Sequence, residues 1–310
     1  MGDVTQTGER APYTESFIER LRGLALKPKL DVQVCDHCNL RCAGCLHFAP
    51  LAPEHFLDLG EYERDLGLLA DVKGFGGYFD SIVLMGGEPL LHPQIAAVIS
   101  ATRAIAPDES ITLCTNGLLL KRMADAFWDA VVANDVLLSI SAYPIRVDYA
   151  ALVDLARGHG AQVALAGDVT RTGQGKEALM RLALDPSGSC DPRDSFVACP
   201  FGGRFLQMNR GALWPCQVAA HGRHFADRFG CNMRESAGDA LLLADIRSMG
   251  DIEDFRRRTH PLCRFCDNRK LSVVPWERSQ GAAEEWLSSV TLVDCTERLS
   301  TRAKKAGEEW

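Results

Sequence analysis

Short apolar segments alternate with amphipathic segments between residues 29 and 167, and this alternation restricts the chain to few folds. The apolar segments have the length of β-strands and are largely apolar on both faces, which is typical of parallel strands covered by helices. Successive βα units form either a barrel or an open doubly wound sheet. In both folds we expect the functional loops at the carboxyl ends of the strands.

The alternation predicts five strands and four helices. The predicted strands are residues 29–35, 80–85, 110–114, 136–142 and 162–167. The predicted helices are residues 58–72, 93–106, 118–133 and 148–160. Asp58 is placed to cap the first of these helices, Pro93 lies in the first turn of the second, and Gly160 ends the fourth.

The strand–helix rhythm stops near residue 168. Residues 168–198 are mostly polar and are predicted to be loops, whereas residues 202–216 alternate around an Asn-Arg-Gly turn, which predicts a hairpin. A helix predicted over residues 251–258 leads into Cys263-Arg-Phe-Cys266. The C-terminal third therefore reads as a small cysteine-bearing module attached to an α/β domain.

Composition limits the possible partners. The chain has 310 residues, of which 46% are hydrophobic and 24% charged, as in an ordinary globular protein, and its formal net charge is −7. This negative charge argues against broad binding to nucleic acid or to an anionic membrane. The polar N-terminus has no signal-peptide pattern, and no apolar run approaches the length of a membrane span, so we expect a cytoplasmic protein.

Twelve cysteines in a chain of this kind indicate metal ligation rather than disulfides, because the expected compartment is reducing. Four of them, Cys35, Cys38, Cys42 and Cys45, lie within eleven positions directly after the first strand. Zinc would need two C-x-x-C pairs separated by only three residues, an awkward link around one ion. A ferredoxin-type site is the other alternative, but the spacing differs from the bacterial ferredoxin run.

Residues 38–45, CNLRCAGC, resemble the C-x-x-x-C-x-x-C loop of radical S-adenosylmethionine enzymes. The resemblance implies that Cys38, Cys42 and Cys45 hold a [4Fe–4S] cluster with one iron left open for S-adenosylmethionine. It further implies reductive cleavage to methionine and a 5′-deoxyadenosyl radical, which takes a hydrogen atom from the substrate. Cys35 then lies outside the triad, as a small buried residue at a strand end.

One position departs from the family pattern. The residue before the third cysteine is commonly bulky in the family and flanks the adenine, but here it is Gly44. We therefore expect the adenine contact to come from the backbone or from a neighbour such as His47 or Phe48.

The loop after the second strand supports the resemblance. Gly86, Gly87 and Glu88 match the family's GGEP motif, which implies binding of the methionine amino group. Two glycines permit a close backbone approach, and a carboxylate can face an ammonium group. A tight turn is the alternative for an isolated motif of this composition.

Three polar residues near later strand ends complete the predicted cofactor site. Asn116 lies in a Thr-Asn-Gly sequence similar to one that family members carry after the third strand, and it can also be a simple turn residue. Ser139 and Ser141 are two apart, so both point to one face of the fourth strand. His92 and Tyr143 also lie near strand ends, where each can act at the site or only cap and pack.

A second cysteine set resembles the twitch module, a short relative of the SPASM module. Its members are Cys199, Cys216, Cys263 and Cys266. The resemblance implies an auxiliary [4Fe–4S] cluster with four thiolates, and zinc remains an alternative for such a set. Trp276, Glu277 and Trp286 follow the module and are expected to dock the C-terminal tail.

The remaining cysteines have weaker assignments. Cys190 or Cys231 could replace one auxiliary ligand, Cys114 is expected in the core, and Cys295 has no assigned role.

Taken with the resemblance, the pattern predicts a partial TIM barrel, (β/α)6, followed by a small α+β auxiliary-cluster module. The predicted divisions are an N-terminal helical extension over residues 1–28, the core over 29–185, and the iron–sulfur module with its tail over 186–310.

The predicted function is hydrogen abstraction from a polar small molecule such as a sugar, a sugar nucleotide or an aminocyclitol. Oxidation, decarboxylation or epimerisation would follow, and a flavodoxin or ferredoxin is the expected reductant. The alternatives are a maturase of a ribosomally made peptide and a non-catalytic zinc or electron-transfer protein.

Overall fold

A computed structural model describes residues 27–166 and 178–287 of the chain. The helix predicted in the N-terminal extension and Cys295 lie outside these residues. Among the helices of the described ranges, none combines the length and the apolar character that crossing a bilayer requires.

Ten strands form two sheets in the described ranges. In chain order they are β1 (Lys29–Cys35), β2 (Ser81–Gly86), β3 (Ile111–Thr115), β4 (Val136–Ser141), β5 (Gln162–Ala166), β6 (Ala178–Arg181), β7 (Phe205–Asn209), β8 (Ala212–Trp214), β9 (Leu241–Leu242) and β10 (Ser272–Pro275). The large sheet has the order β5-β4-β3-β2-β1-β7-β8-β9, and β6 pairs with β10 in a small antiparallel sheet.

Neighbouring strands from β5 across to β7 are all parallel, so the α/β class with a mostly parallel sheet is confirmed. Closure of this sheet into a six-unit partial barrel remains a prediction.

Eight α-helices accompany the strands in the described ranges. They are α1 (Leu59–Ala70), α2 (Ile95–Ile105), α3 (Asp125–Ala133), α4 (Tyr149–Gly158), α5 (Pro192–Ala198), α6 (Gln217–His221), α7 (Arg223–Phe229) and α8 (Met249–Arg257). The predicted cap of α1 is confirmed, because the Asp58 carboxylate accepts a hydrogen bond from the Glu61 amide at 2.9 Å. The chain also turns as predicted at Gly160, whose φ is +85°.

The helices differ from prediction in three places. The helix predicted from residue 118 begins only at Asp125, because a 3₁₀ turn occupies Leu120–Arg122 and Met123 is extended. Helix α2 begins at Ile95, so Pro93 precedes it. Of the stretch 168–198, which was predicted to be loops, the described part from residue 178 onward contains β6 and α5. Their shortness leaves too little periodicity for sequence patterns to detect.

The two faces of the parallel sheet differ in exposure. In β4 the even-numbered residues are buried, whereas Leu137 is 37% exposed and Ser139 and Ser141 are half-exposed. Thr112 and Cys114 of β3 lie beside Leu137 and Ser139 in the register, and they too are half-exposed. The prediction of strands buried on both faces is therefore wrong for β3 and β4, because helices cover only one face there. Cys114 lies on the open face rather than in the core.

Two hydrophobic cores stabilise the described structure. The first lies between the covered face of the sheet and helices α1 to α4, and includes Leu66, Leu84 and Leu138. The second is built mainly from residues after 181, among them Trp286, and also receives Phe48 from the segment that follows β1. The N-terminal and C-terminal parts of the chain therefore share one core.

The predicted hairpin is confirmed as β7 and β8, with Arg210 and Gly211 at φ values of +55° and +69° in the turn. Its first strand pairs in parallel with β1, where Lys29 lies opposite Phe205. The hairpin thus extends the main sheet, so residues beyond the predicted boundary at 185/186 belong to the same sheet as β1.

A buried carboxyl group lies between β1 and the hairpin. Asp31 is 2% exposed, and its Oδ2 accepts hydrogen bonds from Gln207 at 2.7 Å and from Gln217 at 3.3 Å. Burial raises the pKa of Asp31 to about 6, although these hydrogen bonds and nearby Lys29 oppose the shift. The folded protein therefore binds more protons here than the unfolded chain between about pH 4 and pH 6.

We predict that Asp31→Asn makes the free energy of unfolding less dependent on pH. A carboxyl pKa raised by folding lowers stability as pH rises, so the wild type should lose about 1.5 kcal/mol more than the variant between pH 5 and pH 8. Urea unfolding at both pH values measures this difference. Asp80→Asn is the control, because Asp80 is exposed and contacts the same Lys29 at 3.6 Å. The prediction is contradicted if the free energy of unfolding depends equally on pH in the wild type and in Asp31→Asn.

Candidate active site

The segment that leaves β1, residues 36–48, is called the cysteine loop below. Cys42 is buried and Cys38 and Cys45 are partly buried. Burial raises the pKa of Cys38 well above its usual value, and the neighbouring Cys42 and Cys45 thiols raise it further. The three thiols are therefore neighbours, and a cationic centre bound among them would favour the thiolate form that ligates metal.

A second stretch of chain, residues 276–286, holds the cysteine loop from the C-terminal side and is called the tail segment. The amide of Ala43 donates to the Glu277 carbonyl at 2.9 Å, and the amide of Ser279 donates to the Arg41 carbonyl at 2.9 Å. The loop is thus pinned by backbone hydrogen bonds to residues far away in the sequence.

Two tryptophans of the tail segment contact the cysteines themselves. The indole N–H of Trp276 lies 3.1 Å from the Cys42 sulfur, and the indole N–H of Trp286 donates to the Cys45 carbonyl at 2.9 Å. Trp286 is fully buried and stacks on Phe48 with 5.9 Å between the ring centroids. Sequence patterns did not connect these residues with the cysteines, because no spacing rule links positions so far apart in the chain.

Gly44 departs from the family pattern because of this docking. Its φ is +64°, and a Cβ atom at this position would lie only 2.8 Å from the Glu285 carbonyl oxygen. A bulky side chain cannot fit without moving the tail segment. Phe48 cannot replace it beside an adenine, because Phe48 is fully buried against Phe225 and Trp286.

His47 is also buried, and its Nδ1 lies 2.9 Å from the Gln33 side-chain oxygen. Its ring is thereby held in the protein interior.

Cys35 is a buried thiol. It is 1% exposed, and its S–H lies 3.0 Å from the Glu88 carbonyl and 3.2 Å from the His37 carbonyl. Burial raises the pKa of Cys35 to about 12, and the Glu88 and Asp36 charges add to this effect. A thiol that donates to carbonyl groups is not poised as a thiolate ligand.

The Gly86–Gly87 pair lets the cysteine loop approach β2. The Gly87 amide donates to the Cys35 carbonyl at 2.8 Å, and the Glu88 amide donates to the His37 carbonyl at 3.1 Å. A Cβ at Gly87 would lie 1.9 Å from the His37 carbonyl oxygen. The sequence predicted that another group approaches the backbone of this glycine pair closely. Within the protein, that group is the backbone of Cys35 and His37, just before Cys38.

We predict that Gly87→Ala lowers the thermal midpoint and the iron content of the reconstituted protein. The added methyl group meets backbone, so the loop must shift, at a cost of about 3 kcal/mol or more. Gly67→Ala in α1 is the matched control, because nothing lies within 4 Å of its added Cβ; it should stabilise by about 0.5–1 kcal/mol. Differential scanning calorimetry and iron analysis measure both effects, and equal behaviour of the two variants would contradict the prediction.

Glu88 ties two loops together. Its Oε1 accepts from the Thr115 hydroxyl at 2.6 Å and from the Leu90 amide at 3.0 Å, and its Oε2 accepts from the Asn116 amide at 2.8 Å. Burial raises the pKa of Glu88 to about 7, and the three hydrogen bonds limit the shift. A cation beside this carboxylate would favour its ionised form, and a carboxylate oxygen can accept more than one hydrogen bond.

Asn116 extends this connection to the cysteine loop. Its side-chain N–H donates to the Asn39 Oδ1 at 2.8 Å and lies 3.7 Å from the Cys38 sulfur, while its Oδ1 accepts from the Leu118 amide at 2.9 Å. Gly117 follows with a φ of +79°, as the turn requires. The structure therefore brings Asn116 beside the first cysteine of the triad.

The other predicted polar residues, Ser139, Ser141 and His92, do not all face the open side of the sheet. Ser139 and Ser141 both lie on the open face of β4, as their spacing predicts. His92 is buried and structural, because its Nε2 contacts the Leu57 carbonyl at 2.8 Å and its Nδ1 accepts from the Gln94 amide at 3.0 Å.

Tyr143 belongs to the surroundings of the cysteines. Burial raises the pKa of Tyr143 well above its usual value, and the Cys42, Cys45 and Cys38 thiols raise it further, with Cys42 in hydrogen-bond contact. Its ring centroid lies 6.1 Å from that of Trp276. Tyr143 and Trp276 therefore both approach the Cys42 sulfur.

The second cysteine set is also assembled. Burial raises the pKa of Cys266 well above its usual value, and the Cys216, Cys199 and Cys263 thiols raise it further. Burial likewise raises the pKa of Cys263 to about 11, with Cys199 adding to it. The four predicted residues are therefore neighbours in space, although the sequence separates the first from the last by a whole hairpin and three helices.

Of the two cysteines considered as substitutes, Cys190 lies near this set. Cys190 is near enough to Cys266 to raise its pKa, and its sulfur lies 3.6 Å from the Asp185 carboxylate. Cys231 packs against the second core.

We predict that Trp276→Phe lowers the reduction potential of an iron–sulfur cluster at the cysteine loop. A hydrogen bond to a ligand sulfur favours the reduced, more negative state, and losing one worth about 1 kcal/mol corresponds to about 40 mV. Redox titration followed by electron paramagnetic resonance measures the potential. Trp128→Phe in helix α3 is the control, and a potential unchanged in Trp276→Phe would contradict the prediction.

Comparison with known proteins identifies the domain that carries the cysteine loop. The model of the Radical SAM superfamily matches residues 32–166. This range begins in β1 and ends in β5, so it contains the three cysteines and all six predicted cofactor-binding residues.

Several curated relatives are GTP 3′,8-cyclases. That of Chlorobaculum tepidum is 36% identical over 99 residues, which cover 32% of this chain and 28% of that protein. That of Staphylococcus carnosus is 32% identical over 136 residues, covering 38% of each chain. The chain thus matches about a third of the length of these relatives. GTP 3′,8-cyclase 2 of Mycobacterium tuberculosis is 28% identical over 266 residues, covering 79% of this chain and 71% of that protein.

Solved structures of low sequence identity also match. BtrN in complex with AdoMet and 2-DOIA is 14% identical, with a TM-score of 0.45, and the match covers 79% of this chain and 94% of BtrN. SuiB of Streptococcus suis is 16% identical, with a TM-score of 0.36, over 48% of this chain and 35% of SuiB.

Proposed function

Because residues 32–166 form a radical SAM domain and the protein is an enzyme, we propose that Cys38, Cys42 and Cys45 hold the [4Fe–4S] cluster that this superfamily implies. The observation that carries the proposal is that the loop with the three cysteines leaves the carboxyl end of β1 and is held there by backbone hydrogen bonds from Gly87 and Glu88. Three thiolates leave one iron of a four-iron cluster for S-adenosylmethionine.

The spacing of the thiols supports a cluster rather than one zinc ion. A tetrahedral zinc with Zn–S bonds of about 2.3 Å would draw its thiolates to about 3.8 Å from one another. Within residues 27–166 and 178–287, the one group of three potential ligands lying within 4.8 Å of one another contains no cysteine. At least one pair of the Cys38, Cys42 and Cys45 sulfurs is therefore more than 4.8 Å apart, which supports a centre larger than a single ion.

We assign the binding of S-adenosylmethionine to Gly86, Gly87, Glu88 and Asn116, with Ser139 and Ser141 on the adjoining strand. Glu88 presents a carboxylate for an ammonium group, and its bonds to Thr115 and Asn116 fix that carboxylate in place. The Asn116 side chain contacts Cys38, so hydrogen bonds connect the residues assigned to the cofactor with the residues assigned to the cluster. When bound, the cluster and S-adenosylmethionine supply the 5′-deoxyadenosyl radical, and the protein orients the reactants.

The second set, Cys199, Cys216, Cys263 and Cys266, would hold an auxiliary [4Fe–4S] cluster in a twitch-like module. Four ligands leave no iron open, which favours transfer of an electron from a substrate radical over substrate binding. The tail segment follows Cys266 and contacts the cysteine loop through Trp276, so one short connection links the two sites.

A polar substrate is compatible with the open face of the sheet. Ser139 and Ser141, with Thr112 on the neighbouring strand, give this face hydroxyl groups at half-exposed positions. Such groups suit a polar molecule, and we propose a sugar, sugar nucleotide or aminocyclitol, with a flavodoxin or ferredoxin as reductant. The GTP 3′,8-cyclases among the relatives act, by their name, on a nucleotide, which is compatible with a sugar-nucleotide substrate.

Replacing Cys38, Cys42 or Cys45 by Ala should abolish formation of 5′-deoxyadenosine, since each loss removes a cluster ligand. Cys35→Ala should retain it, because Cys35 is a buried thiol outside the triad. The test is anaerobic reconstitution, where two four-iron clusters require about eight irons per chain, followed by chromatography of the products under reductant. Zinc without cleavage of S-adenosylmethionine, or cleavage lost in Cys35→Ala but kept in Cys42→Ala, would overturn the assignment.

Cys199→Ala and Cys266→Ala separate the two sites. They should retain part of the cleavage of S-adenosylmethionine while losing about four irons per chain and the turnover of substrate. Transfer of deuterium from labelled sugars or sugar nucleotides into 5′-deoxyadenosine identifies the substrate, and an unlabelled product from all of them would refute the proposed class.

A further inference from the structure

Asp36, His221 and His224 place three metal-binding groups together beside the cysteine loop. One ligand atom of each lies within 4.8 Å of those of the other two. Their side chains come from the start of the loop, from the end of α6 and from α7, and all three residues are buried, with 3%, 0% and 6% exposure. The group contains no cysteine and is distinct from both thiol sets.

Unpartnered nitrogens point to a missing ligand in this group. Both ring nitrogens of His221 are buried without a hydrogen-bond partner, and so is Nε2 of His224. The His224 Nε2 lies 3.5 Å from the Asp36 Oδ2, which is long for a hydrogen bond. A buried polar atom left without a partner destabilises the folded protein. One nitrogen of each ring lies within 4.8 Å of the Asp36 ligand oxygen, so a metal ion bound between the three side chains would give one nitrogen of each histidine a partner.

Neighbouring polar groups orient the carboxylate. The Gln33 side-chain N–H lies 3.3 Å from the Asp36 Oδ1, and the Gln33 side-chain oxygen contacts His47 at 2.9 Å. The His47 ring in turn lies 5.4 Å from the His221 ring. Hydrogen-bonded partners behind the ligands are a regular feature of metal sites.

Two basic side chains also approach Asp36 and would compete with a metal. Arg223 lies 3.2 Å and His55 lies 3.6 Å from the Asp36 Oδ2. The Arg223 side chain is 28% exposed and the His55 side chain 61% exposed, so both can turn toward solvent. Asp36, His224 and Arg223 line a cavity of about 520 Å³, which gives an ion access to the site and room for the guanidinium to withdraw.

We propose that Asp36, His221 and His224 bind one divalent transition-metal ion, with a remaining coordination position open to the cavity. Two imidazoles and one carboxylate suit Zn²⁺ or Fe²⁺ and leave part of the coordination sphere for water or a small ligand. The site requires neither the [4Fe–4S] cluster nor S-adenosylmethionine, so it stands independently of the proposed function.

Zinc binding to the reconstituted protein, with any polyhistidine tag removed, tests the site. The protein is equilibrated with Zn²⁺ and desalted, and zinc and iron are counted by mass spectrometry. The wild type should retain one zinc per chain in addition to its iron. His221→Ala and His224→Gln should retain none while the iron count stays unchanged. His159→Ala, at an exposed position after α4, is the matched control and should bind zinc like the wild type.

Two results would overturn the site. One is a wild type that retains no zinc, because the unpaired nitrogens are then satisfied by water alone. The other is zinc that persists in both histidine variants, because it is then held by thiolates. If His221→Ala does not fold, His224→Gln decides the matter, since His224 borders the cavity and Gln preserves a polar side chain there.

Discussion

The close backbone approach of the Gly86–Gly87 turn to the cysteine loop is the contact on which the rest of the site depends. It continues the pairing of β1 with β2 beyond the end of the strand and fixes the path of the chain just before Cys38. No side chain fits between the two segments, since a Cβ on Gly87 would lie 1.9 Å from the His37 carbonyl oxygen, far inside van der Waals contact. Backbone hydrogen bonds of this kind are rigid, so they position the first thiol.

The tail segment completes the loop from the opposite side. Trp276 and Trp286 contact Cys42 and Cys45 directly, and Gly44 provides the space that this docking needs. A loop held on both sides keeps its thiols adjacent, although burial and the neighbouring thiols raise the pKa of Cys38. A cationic centre counters this shift, which physically couples metal binding to the stability of the loop.

Sequence patterns predicted the α/β class and the strand positions well, because parallel strands with covering helices have a strong local signature. The resemblance of residues 38–45 to the radical S-adenosylmethionine loop grouped Cys38 with Cys42 and Cys45 and set Cys35 apart. Sequence patterns missed the contact of Trp276 with Cys42 and the open face that carries Cys114. The contact and the exposure both depend on which segments lie together in the folded chain, and neither produces a periodic pattern in the sequence.

The sequence by itself determined the alternation of strands and helices and the loop at the end of β1, since hydrophobic period and residue spacing act locally. Tertiary structure alone decided that β7 pairs with β1, that Gly44 faces the Glu285 carbonyl, and that Asp36 meets His221 and His224. These contacts join residues far apart in the chain. Their energies come from burial and backbone pairing that exist only once the two cores have formed.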